Sequence, residues 1–268
     1  LRRLYRELHR ACRIERIIGM RYMGGKTRLS RYIAPLINKD IEDLGVECYY
    51  EPFVGAGSVL ERVVCKYRFA SDINCDIIEM FKAVQSGWTP PESVSREYYD
   101  FCRANRDTID PALRAFVAFG CSFGGREWNG HARYKDGRDA TSEAYRSILK
   151  QAPKIRNVYF RCADYRELNP VNSVIYCDPP YDGTCKYEMN DNSIEFNSEE
   201  FWDTVSLWSE TNVVYVSEYN APIEITPYKE FGHHKTINNV NGGSQVKTVE
   251  RLYRISKLGV LNECIESV

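Results

Sequence analysis

No Cys-x-x-Cys pair occurs in this 268-residue chain, although it carries ten cysteines. Its four histidines (9, 131, 233, 234) show no ligand spacing with those cysteines. Together these absences exclude a zinc site of ordinary type, and no metal is expected. Several thiols, Cys48, Cys162 and Cys177, sit inside apolar strand-like runs. Reduced, mostly buried thiols in a cytosolic protein are therefore expected. No stretch approaches the roughly 20 apolar residues that span a bilayer. The N-terminal stretch alternates Arg with apolar residues and lacks the apolar core of a secretory signal. Repeats and low-complexity tracts are also missing.

The composition is that of a globular protein, 43% hydrophobic and 27% charged, with a net charge of −1. That near-neutrality hides an asymmetry. Residues 1–31 hold ten Lys/Arg against two acids, and residues 120–160 hold eight against four. Residues 164–268 reverse the balance, eight against seventeen. A basic surface confined to part of a chain suits a polyanion touching one face, although a merely solvated surface fits charge alone as well. Residues 1–19 read as a basic amphipathic helix, suited to docking on the body, to nucleic acid or to a membrane surface.

Strands alternate with helices along the chain. "ECYYEPFVGAGSVLERVV" reads as strand, glycine turn and helix, and "YRFASDINCDIIEMFKAV" as strand and helix. "NVYFRCADY", "SVIYCDPPY", "NVVYVSEY" and "VERLYRI" add four strands. "EEFWDTVSLWSE" is a helix with Asn197 and Glu200 placed as a capping box. This pattern predicts an α/β, doubly wound, mostly parallel sheet covered on both faces. Between the second and third strands lie residues 85–156, far more than one crossover needs. They read as an inserted, mainly helical subdomain with a basic loop, "GGREWNGHARYKDGRDA". The sheet domain is then 20–84 with 157–268.

"RYMGGKTRLS", residues 21–30, ends like a phosphate loop, but the required first glycine falls at Met20. That counts against a triphosphate, and the rest of the chain must decide. Gly55 and Gly57 follow a strand, and Asp72 ends the next one. In doubly wound sheets such glycines let backbone approach a nucleoside, and the acid accepts from ribose hydroxyls. The third glycine of a dinucleotide fingerprint is absent, since position 60 is Leu. S-adenosylmethionine, which has a ribose and no pyrophosphate, remains.

Asp178-Pro179-Pro180-Tyr181 closes the apolar run "SVIYC". The two prolines stop the strand. The turn offers a carboxylate, a carbonyl and an aromatic ring at the sheet edge where open parallel sheets bind ligands. The carboxylate and carbonyl suit the two hydrogens of an exocyclic amine, and Tyr181 suits stacking on a base. Cys177 abuts this turn, but its alternation points it to the other face, into the core.

With these motifs in place the chain resembles a Dam-type (D12 class) DNA adenine-N6 methyltransferase, of the kind common in bacteria and phages. "RYMGGK", "EPFVGAGS", "SDIN", "CDPPY" and "NGGSQVKTVERLYRI" match the family's motifs in order, from residue 20 to about 256. The resemblance implies a seven-stranded Rossmann-like methyltransferase sheet with residues 85–156 as target-recognition subdomain. It implies a cofactor site of Tyr22, Gly25, Lys26, Phe53, Gly55, Gly57, Asp72, Asp164 and Tyr165, with Lys26 toward the methionine carboxylate. Asp164 would accept from the cofactor's adenine amine. Asp178, Pro179, Pro180 and Tyr181 become catalytic, acting on a flipped-out adenine of double-stranded DNA. Arg126, Asn129, Arg133, Lys135 and Arg138 are the candidate DNA contacts, since Arg and Asn pair with base edges and Lys and Arg with phosphates. Another amine substrate, or an inactive DNA-binding relic of the fold, are the rival readings. Oligomeric state is left open, a monomer included.

Overall fold

The computed structural model describes residues 20, 22–134, 137, 139–180, 187–189, 192–194, 196–222, 224–237 and 244–258. For 187–189, 192–194, 233–237 and 244–248 it describes the backbone. The expected N-terminal helix, Tyr181, Lys135, Arg138 and the turn at 241–243 lie outside the described residues.

Seven strands form one sheet: β1 (Cys48–Glu51), β2 (Tyr67–Asp72), β3 (Val158–Cys162), β4 (Ser173–Cys177), β7 (Val213–Glu218), β8 (Lys229–Ile237) and β9 (Ser244–Ile255). Two short strands, β5 (Tyr187–Met189) and β6 (Asn192–Ile194), pair separately. The order in the large sheet is β3-β2-β1-β4-β7-β9-β8. The first five are mutually parallel, and β9 runs antiparallel between β7 and β8. The expected mostly parallel seven-stranded sheet is present.

The helices are α1 (Ser30–Leu44), α2 (Cys75–Gln85), α3 (Arg96–Ala104), α4 (Pro111–Ala115), α5 (Ala140–Gln151) and α6 (Ser198–Trp208). Every residue of β4 and β7 is buried, as expected for continuous apolar runs covered on both faces. On one face Ile33 and Ile37 of α1 and Phe81 of α2 share a core with Tyr49, Tyr176 and Tyr215. On the other, Phe201, Trp202 and Trp208 of α6 pack with Ile175, Cys177 and Val214.

Three expectations are corrected. The helix read after the glycine turn is one 3-10 turn, Leu60–Arg62. Residues 58–66 must return the chain to the start of β2, which leaves no room for further turns. The capping box on α6 is half formed. Asn197 accepts from the Glu200 N–H, while the Glu200 carboxylate faces Arg166 at 3.3 Å. The thiols are not all reduced, because Cys75 and Cys162 are bonded, with Cα atoms 4.9 Å apart. β2 and β3 align Asp72 with Cys162, and the turn after Asp72 brings Cys75 back beside it.

The long segment 85–156 contributes α3, α4, a π-helical turn at Phe116–Gly120, and α5. Its Tyr99, Cys102 and Phe116 are buried in the same core as the sheet. After the π turn, Gly124 and Gly125 take left-handed backbone, and the loop folds back with Phe123 N–H bonded to Gly130 O. No described helix is long and apolar enough to cross a membrane.

Candidate active site

The carboxyl ends of β1, β2 and β4 open into a cavity of about 1110 Å³. That edge collects loops because all five parallel strands point their carboxyl ends the same way. Glu51, Asp72 and Asp178 sit at or just past these strand ends and line the cavity.

The glycine turn forms one wall. Gly55 has φ +44° and Gly57 φ +65°, both left-handed. A Cβ on Gly55 would stand 3.0 Å from the Tyr22 ring, so Tyr22 seats directly on the turn. Gly57 does not line the cavity; its role is packing. A Cβ there would meet the Gln151 Nε2 at 3.0 Å. That amide, buried at the end of α5, donates to Ala56 O at 2.8 Å and Gly57 O at 3.3 Å. The predicted insertion thus supports the glycine turn directly, which sequence spacing did not reveal.

Asp72 accepts from Gly55 N at 2.9 Å through one oxygen and from Asn74 N at 2.9 Å through the other. Burial pushes its carboxyl up to about 6, against those two bonds. Asp164 also lines the cavity, but Arg166 grips it, with Nη2 to Oδ2 at 2.6 Å and Nε to Oδ1 at 2.9 Å. That hydrogen bond holds the Asp164 carboxyl below its usual value. Tyr165 and Phe53 lie 5.2 Å apart between ring centroids, and both border the cavity.

"RYMGGK" runs along the opposite side. The Met23 N–H bonds Gly125 O at 3.0 Å, tying this segment to the loop from the insertion. Gly25 is needed because a Cβ would press on Tyr22 O at 3.0 Å. Lys26 was expected to face a ligand carboxylate. It borders the cavity, and its ammonium meets protein acceptors: Asp178 Oδ1 at 2.5 Å, Gly24 O at 3.1 Å and Glu250 Oε1 at 3.3 Å. Three acceptors among the described residues thus surround the ammonium. Burial pulls the Lys26 ammonium down, but Asp178 and Glu250 outweigh it and hold it above its usual value.

Two acids were missed by sequence reasoning. Glu51 is 2% exposed, and burial raises its carboxyl to about 8 while Tyr49 Oη donates to it at 2.6 Å. An acid closing the apolar strand "CYYE" was the available signal. Glu250, on β9, had none.

Asp178, Pro179 and Pro180 line the cavity, and Arg126 and Asn129 of the insertion loop line it too. Arg133 is exposed, its backbone paired with that of Asp139 in an isolated β-bridge, and it does not line the cavity. Cys177 is fully buried away from it, its thiol pushed well up by burial, which suits packing and not attack. Among the described residues no cluster of His, Cys, Asp or Glu is arranged to hold a metal.

Comparison with known proteins adds to this geometry. A DNA adenine methylase of Escherichia coli (strain K12) is 31% identical over 160 residues, covering 50% of this chain and 56% of the relative. The chain thus spans little more than half of that relative's length. Type II methyltransferase M.MjaIII of Methanocaldococcus jannaschii is 25% identical over 218 residues, covering 64% of this chain and 74% of the relative. Among solved structures, the N-terminal domain of human METTL16 in complex with SAH aligns at 9% identity and TM-score 0.33, over 84% of this chain and 67% of that one. The pattern of one family runs through residues 22–240, from the GGK segment past β8. This chain belongs to that family, the D12 class N6 adenine-specific DNA methyltransferases.

Proposed function

We propose that this chain transfers a methyl group from S-adenosyl-L-methionine to N6 of a flipped-out adenine in double-stranded DNA. One observation carries the reading: Asp178-Pro179-Pro180 shares a cavity with the Gly55 turn, Asp72 and the insertion's Arg126 and Asn129. The donor set fits the cofactor. Gly55 lets the Tyr22 ring seat against the turn that lines the cavity, and the Asp72 oxygens keep lone pairs for ribose hydroxyls. Tyr22, Gly25, Lys26, Phe53, Asp164 and Tyr165 complete the proposed binding walls, with Gly57 supporting the turn from behind.

The cofactor supplies an electrophilic methyl on a sulfonium. The chain's own work is positioning and electrostatics. Asp178 and the Pro179 carbonyl accept the two hydrogens of the amine and orient its lone pair. Pro180 stiffens the turn, and Tyr181 stacks on the base. No covalent enzyme intermediate is required, in keeping with the buried Cys177. N6 is reached by extruding the base, at a cost of a few kcal/mol. Residues 85–156 act as the target-recognition part, with Arg126, Asn129, Arg133, Lys135 and Arg138 supplying donors to bases and phosphates. The setting is the cytosol, where DNA and cofactor meet.

The test is incubation with labelled S-adenosylmethionine and unmethylated DNA, followed by digestion to nucleosides. Label in N6-methyldeoxyadenosine is expected. Label only in another nucleoside, or none in DNA, overturns the proposal.

A further inference from the structure

We infer that Glu250 is a positioning residue for this reaction, holding Lys26 from β9 and keeping the centre around Asp178 negatively charged. The inference rests on the methyl-transfer reading above. Lys26 is 6% exposed and lies between two carboxylates, Asp178 at 2.5 Å and Glu250 at 3.3 Å. It also donates to Gly24 O at 3.1 Å. The ammonium is therefore fixed from three directions, and Asp178 is bound through Oδ1.

Charge counting gives the reason for a second acid. With Asp178 and Lys26 alone, the ammonium would cancel the carboxylate that must receive the amine. Glu250 puts two carboxylates around one ammonium among the described groups, which leaves these three with a net negative charge. The described acids and tyrosine beside them do not cancel that charge near pH 7. Glu51 on β1, lifted to about 8 by burial, is neutral there. Tyr176 on β4, fully buried near all three acids, is held far above its usual value and is neutral as well. Asp72, which also lines the cavity and is raised to about 6 by burial, is mostly ionised near pH 7 and adds charge of the same sign. An amine nitrogen becomes positive as it takes a methyl group. A preset negative field in a buried site stabilises that charge without reorganisation.

The test compares wild type, Glu250→Gln, Glu250→Asp and Glu250→Ala. The Gln variant keeps an acceptor for Lys26 and removes the charge. Its kcat should fall about tenfold or more, with KM for the methyl donor little changed. Glu250→Asp should recover part of the loss. In 13C-lysine NMR, with Lys26 assigned through Lys26→Arg, the Lys26 titration should move to lower pH in Glu250→Gln. An unchanged kcat in Glu250→Gln, or an unmoved Lys26 titration, overturns the inference. So does a kcat loss in the variants that merely follows their folded fraction. Wild-type protein without transfer to DNA would sink the methyl-transfer reading, while the NMR titration still decides whether Glu250 holds the ammonium.

Discussion

Asp178 and Asp72 could be picked out from single letters because each ends an apolar strand and is followed by a turn that local sequence specifies. Asp178→Ala removes the proposed acceptor of the amine, and transfer should fall by about 10²-fold or more. Label incorporation with cofactor binding measured in parallel checks this, since the fold should survive. Glu51 was harder to see, because its importance lies in its burial and not in a motif. Its carboxyl titrates at the usual 4.5 when unfolded and at about 8 when folded. Between those values the folded state binds the extra proton, so this group's contribution to stability declines as pH rises from about 4.5 to 8. Asp72 acts with the same sign between 3.8 and about 6. Glu51→Gln keeps a neutral acceptor for Tyr49 Oη. Melting temperatures measured from pH 5 to 9 should decline less steeply for this variant than for wild type.

Strands and helices followed their periodicity where burial was simple. "SVIYC" is β4 to the residue, and α6 matches the helix read from "EEFWDTVSLWSE" to within two residues at each end. The glycine turn shows where periodicity fell short. Its glycines read as ligand-approach residues, yet Gly57 is required by Gln151. Gly57→Ala forces a left-handed non-glycine residue at φ +65° and pushes on a buried amide. A loss of about 1–2 kcal/mol is expected from the backbone term alone, read from the denaturant midpoint. Gln151→Ala leaves the Ala56 and Gly57 carbonyls without this donor. At about 1–3 kcal/mol for an unmet buried acceptor, much of the loss should appear as weaker S-adenosylmethionine binding by calorimetry. Unchanged binding would show that α5 does not support the turn in solution. The helix after the turn failed for a different reason: "SVLERVV" has helical spacing, but chain length between β1 and β2 overrides it.

Across the chain as one body, the disulfide is the clearest departure from expectation. Cys75 and Cys162 are 87 residues apart in sequence, so reduction should release a large unfolded-state constraint. Loop-closure entropy sets this at up to about 4–5 kcal/mol. A melting temperature lowered by reductant, with two more thiols open to alkylation, is the expected result; no change in either would show that the bond does not form. The alternation of strands and helices and the acids at the ends of β2 and β4 could be read from sequence, because turn chemistry and apolar period are properties of a few neighbouring residues. The disulfide, the Gln151 support and the Glu250–Lys26–Asp178 cluster could not. Lys26 and Asp178 stand 152 residues apart, and Glu250 arrives on a strand whose antiparallel place between β7 and β8 no local pattern encodes. Such meetings depend on sheet order and register, and these are fixed by the summed packing of both faces of the sheet rather than by any one segment.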